Sequence, residues 1–119
     1  MTRVTSPPPA RPLALYALGA LVVAWSAFGL GILYSDHLHS RFGPDGDVHD
    51  SLVRAWYVAQ RVLPFNLVTF IADVVSLALL LAPWPNRSPR WAVVLVGLLG
   101  AISACLHGLV LLLNLFFAM

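Results

Sequence analysis

The chain is predicted to be an all-α integral membrane protein, with three transmembrane helices plus a short interfacial amphipathic helix. Three observations predict it. Apolar runs at 13–34, 62–82 and 91–117 are each long enough to cross a hydrocarbon core of about 30 Å. Only 10% of the 119 residues are charged while 60% are hydrophobic, whereas soluble domains carry about 25% charged residues. A soluble fold of this size could not cover so much apolar surface, and a lipid bilayer removes the problem.

The elements follow in order along a single membrane domain. Residues 1–12, MTRVTSPPPARP, read as a disordered tail, because three consecutive prolines favour extended, solvated chain. Residues 13–34 form the first span. This run is too long for a signal-peptide core of about 7–15 residues, so it is expected to be retained. Residues 35–50 form a polar outer loop, with Gly43-Pro44-Asp45-Gly46 as its turn. Residues 51–61 read as the interfacial helix. Leu52, Val53, Trp56, Tyr57 and Gln60 share one face, Arg54 and Arg61 lie opposite, and Asp50 or Ser51 can cap the start. Pro64 predicts a kink as the chain enters the second span, 62–82. Residues 83–90 form a short inner loop between Trp84 and Trp91, which suit a membrane–water boundary. The third span occupies 91–117.

Three crossings put the termini on opposite sides. Arg3, Arg11, Arg87 and Arg90 would share one side, and Arg41, Arg54 and Arg61 the other. The excess, with two arginines in the short loop, predicts the N-terminus inside and the C-terminus outside, in the plasma membrane of a bacterium.

The second span carries the most informative residue, Asp73. A carboxylate at that depth needs a partner, a proton or water. Asn66, Thr69, Asp73 and Ser76 step by three, four and three, which puts all four on one helical face. On the third span, Gly100, Ala104 and Gly108 form a helix-packing face of small residues, with His107 beside it and Asn114 two turns further on. The first span offers Gly19, Val23, Ala27 and Gly31 as its narrow face, with Trp25 and Ser26 near mid-depth. Counting from Leu13, Ala82 and Trp91 as level inner ends puts Asp73 at about 14 Å, Trp25 and Ser103 at about 18 Å, and Asn66 and His107 at about 24 Å. The expected pairs are therefore Asn66 with His107, and Asp73 with Trp25, Ser26 or Ser103. A direct Asp73–His107 contact would need about two turns of vertical shift.

Other chemistry is sparse. His37, His39 and His49 are weak metal candidates, since His37 and His39 diverge on either a strand or a helix. The single Cys105 reads as a small core hydrophobe and excludes an intrachain disulfide. No hydrolase, P-loop, zinc-protease or dinucleotide motif is present, so the chain is not expected to be an enzyme. Scattered arginines exclude a nucleic-acid partner. No cofactor is expected; haem through His107 would need a second axial ligand from another chain. Small multidrug transporters are similar in size, but this chain lacks a fourth span and an acidic residue in its first. The hydrophobic anchor subunits of succinate dehydrogenase are similar in size and span number, without a match here to their histidine motif.

The sequence thus predicts a small non-enzymatic accessory or structural subunit, embedded in the lipid bilayer and associating as a homo-oligomer or within a larger membrane complex. An oligomeric proton- or cation-coupled transporter or channel using Asp73 is the alternative, and a haem-binding redox anchor using His107 is a third.

Overall fold

The computed structural model describes residues 9–42 and 48–119, the first three of the latter by backbone alone. Three helices account for nearly all of them: α1 (Leu13–Ser40), α2 (Val48–Leu81) and α3 (Arg90–Ala118). All three are long and apolar enough to cross a membrane, which is compatible with a multi-pass membrane protein. Helix α2 is the centre of the arrangement. It packs against both of its neighbours, while α1 and α3 touch each other far less.

Helices α1 and α2 exceed the expected spans at the ends remote from the α2–α3 connector. Helix α1 continues to Ser40 rather than stopping at 34. No proline or glycine interrupts Ser35–Ser40, Leu38 is buried, and His37 and His39 fall in the last turn, where the helix dipole favours positive charge. The turn expected at Gly43–Gly46 lies outside the described residues.

The separate interfacial helix is not observed. Residues 51–61 are helical, but they form the first turns of α2, a continuous 34-residue helix with Pro64 inside it. At 1.5 Å per residue α2 is about 51 Å long, well beyond the hydrocarbon thickness. Packing explains the continuity. Val58 and Ala59 are buried, Gln60 donates to the Ala118 carbonyl at 3.2 Å, and the Tyr57 and Phe42 rings meet edge to face with centroids 5.7 Å apart. The long ends of α1 and α3 therefore give this segment a surface to follow. Leu52, Val53 and Trp56, the expected membrane-surface face, point outward. Proline removes one backbone hydrogen bond from a helix, a loss that neighbouring helices can offset inside a membrane.

Helix α1 buries a face different from the expected one. Its inward residues are Ala14, Ala17, Leu21, Ala24 and Gly31, spaced by three, four or seven, while Val23 is exposed and Gly19 has open space around it. A Cβ added at Gly31 would lie 3.0 Å from the Phe65 Cβ of α2, so the two backbones approach closely there. Lower in the bundle, Ala14, Ala17, Leu21 and Val96 form an apolar cluster with Leu79 and Leu80 packed against it.

The connector between α2 and α3 closes the other end of the bundle. Arg11 N–H donates to the Pro85 carbonyl and Arg87 N–H to the Arg11 carbonyl, each at 3.0 Å. The Asn86 side chain accepts from Leu13 N–H at 3.3 Å, and Ser88 Oγ accepts from Ala14 N–H at 3.0 Å. Two of the amides left unpaired at the start of α1 are thus capped from 73 and 74 residues away. Residues 9–12, expected to belong to a disordered tail, are held here through Arg11.

The glycines give a contrast that tests this packing. Gly31→Val is expected to lower stability by about 1–3 kcal/mol through overpacking against Phe65. Gly19→Ala, with nothing near its new methyl group, is expected to be neutral or to gain up to about 1 kcal/mol. Thermal melting followed by helical circular dichroism in detergent measures both.

Candidate functional site

The polar stripe of α2 turns inward. Thr69, Asp73 and Ser76 are each 1% exposed or less, and Asn66 is half-buried. Helix α3 presents a matching face of Val96, Gly100, Ser103, His107, Leu111 and Asn114, all buried and spaced by three or four residues. Polar side chains on the two faces meet at two levels.

One level is a closed triangle. Ser103 Oγ donates to Asp73 Oδ1 at 2.7 Å, and His107 Nδ1 is hydrogen-bonded to Asp73 Oδ2. Ser103 Oγ also lies 3.2 Å from Nδ1, one helical turn away on the same face. Its proton is committed to Asp73, so its lone pair faces the imidazole. Asp73 is fully buried and His107 is 2% exposed. A buried charge without a partner would be costly, and here the carboxyl group is hydrogen-bonded to both Ser103 and the ring. Both electrically neutral forms of the pair, carboxylate with imidazolium or carboxylic acid with imidazole, place a second proton on Nε2. That nitrogen is buried and has no hydrogen-bond partner among the described residues. The imidazole packs instead against Trp25 and Phe28 of α1, with ring centroids at 4.5 and 4.8 Å.

This geometry corrects the expected pairing. Asp73 and His107 meet directly, and Asn66 meets Asn114 rather than His107. The Asn66 amide donates to Asn114 Oδ1 at 2.6 Å, and the Asn114 amide donates to the Ala59 carbonyl at 2.6 Å. The helix register is the cause. Gly97 sits against Leu80, Gly100 against Leu77 and Gly108 against Phe70, so Ala82 is level with the mid-90s of α3 and not with Trp91. The offset is about five residues, or about 7.5 Å. Side chains close the remainder. Each leans toward the N-terminus of its own helix, and in antiparallel neighbours Asp73 and His107 lean toward one another. Asp73 with Ser103 is one of the expected pairs, Ser26 is exposed, and Trp25 reaches the imidazole rather than the carboxylate.

Helix α1 joins through a different bond. Ser76 Oγ donates to the Ala17 carbonyl at 2.8 Å, a contact that no side-chain pattern announces. Thr69 makes no such bridge; its hydroxyl donates to the Phe65 carbonyl in its own helix at 2.8 Å. Of the small-residue face, Gly100 and Gly108 admit Leu77 and Phe70 at 3.0 and 3.2 Å from where a Cβ would stand, and Ala104 is half-buried between them. Ser103 is the member of the site that sequence reasoning underweighted. Its spacing of four from His107 and eleven from Asn114 was the available signal.

The weak metal candidates do not converge. His37 and His39 are exposed on the last turns of α1, the His49 side chain lies outside the described residues, and among the described residues no three His, Cys, Asp or Glu side chains form a ligand cluster. Cys105, expected in the core, is exposed on the outward face of α3 because the inward face is taken by Ser103 and His107.

Asp73→Ala removes the shared partner of Ser103 and His107 and is expected to cost about 1–3 kcal/mol. Asp73→Asn keeps an acceptor for Ser103 and supplies a donor for Nδ1, so its cost should stay within about 1 kcal/mol. Melting of both variants in one detergent separates hydrogen bonding from charge. Comparison with known protein families, with characterised proteins and with solved structures gives no match.

Proposed function

We propose that this chain is a small non-enzymatic integral membrane protein that serves as an accessory or structural subunit, with itself or a larger membrane complex as partner. One observation carries the reading. The intramembrane carboxylate is fully enclosed and partnered within a single chain. The carboxylate therefore acts as an internal fastener, and a second copy is not needed to partner it. What remains for interaction is an outward surface of Leu, Val, Ile and Phe, suited to lipid and to other apolar helices. The arginine distribution supports an orientation with the N-terminus inside and the C-terminus outside.

A proton-coupled transporter or channel protomer is the second reading. The hydrogen bond between Asp73 and His107 favours it, because such a pair is the kind of group that proton pathways use. Haem ligation by His107 is less well supported. It would require Nε2 to be uncovered from its buried position and a second ligand from another chain.

Reconstitution distinguishes the two main readings. Vesicles carrying the purified chain are expected to show no proton or cation flux above empty vesicles, while subunit counting by photobleaching at low protein density finds stable association. A flux that disappears in Asp73→Asn would overturn the accessory reading in favour of coupling.

A further inference from the structure

The weak contact between α1 and α3 leaves a groove along the bundle. Near the connector it widens into a cavity of about 440 Å³, bounded by Leu15, Leu18, Leu95 and Leu99, with Arg87 and Trp91 at its mouth. A second cavity of about 540 Å³ continues it toward mid-bilayer, sharing Leu18 and Leu99 and ending at Trp25, Ser26 and Ser103. From Pro12 to Ser26 the groove follows about 21 Å of helix. One leaflet of hydrocarbon is about 15 Å deep, so an entire acyl chain fits along it.

The charge at the mouth is one-sided. Arg11, Arg87 and Arg90 cluster at this end, and the chain has no Asp or Glu in residues 1–35 or 74–119. The four aspartates other than Asp73 all fall within residues 36–50 of the sequence. A zwitterionic headgroup brings its own cation beside its phosphate, so it leaves the net positive charge of these guanidinium groups uncompensated. A phosphate-bearing anionic headgroup at membrane depth compensates it, with Trp91 at the boundary.

We infer that the α1–α3 groove is a binding site for an anionic phospholipid, with one acyl chain in the paired cavities and its headgroup at Arg87. This site does not rest on the accessory reading, and its inner end adjoins the Asp73–His107 network at Trp25 and Ser103. Arg87 selects the headgroup, and Leu18 and Leu99 hold the chain.

Trp25 reports occupancy, because it lines the inner cavity. With Trp56, Trp84 and Trp91 replaced by Phe, it is the single indole of the full-length chain. The protein is placed in phosphatidylcholine vesicles containing a minor fraction of phosphatidylglycerol or phosphatidylcholine brominated on the acyl chain. Brominated phosphatidylglycerol is expected to quench Trp25 at a lower mole fraction than the zwitterionic lipid. Arg87→Gln, at an exposed position, should reduce that preference about fivefold, the share of one arginine near an anionic surface. Paired Leu18→Phe and Leu99→Phe substitutions should reduce quenching by the anionic lipid. Equal quenching by the two lipids overturns the site, as does a preference untouched by Arg87→Gln. Full quenching in the Phe pair overturns the placement of the chain.

Discussion

A carboxyl group enclosed among apolar helices must have polar partners, and the organisation of this bundle follows from that constraint. Asp73 is partnered by its own chain, through one hydroxyl and one imidazole on a single facing helix. Ser103 and His107 are one turn apart, so both can reach the same carboxylate only if α2 and α3 hold one register. The small residues Gly100 and Gly108 permit that approach by admitting Leu77 and Phe70. The third helix is then recruited around the imidazole by Trp25 and Phe28, and along α2 by the Ser76–Ala17 bond. Polar satisfaction and apolar packing are therefore parts of one arrangement.

This internal closure shapes what the surface can do. With the expensive groups enclosed, the outward residues are nearly all aliphatic or aromatic over the membrane-spanning stretch. Lipid and other hydrophobic helices meet that surface on similar terms, so selectivity must come from shape and from the charged ends. The two ends differ. The aspartates other than Asp73 lie in residues 36–50, whereas the connector end has arginines without acids.

The three spans were legible because length and low charge suffice to show them, and the α2 stripe because four polar residues recur at helical spacing. Register was not legible. It depends on how far α3 begins below the end of α2, and PWPNRSPR does not state the path it will take. Assuming level ends displaced His107 by about five residues and concealed its contact with Asp73. The buried face of α1 was hidden for another reason. Alanine and glycine occur on several of its sides, and the choice among them rests on partners in α2, the Phe65 side chain and the Ser76 hydroxyl. Pro64 misled in the opposite direction. It signals a break in a soluble helix, but here the flanking turns are held by Tyr57, Gln60 and Asn114 contacts and the helix runs through.

The clasp joining residues 11–14 to residues 85–88 has a consequence for biogenesis. The first amides of α1 are sealed by Asn86 and Ser88, which leave the ribosome more than seventy residues after those amides. Those two partners become available to α1 only after both α2 and the connector have been made.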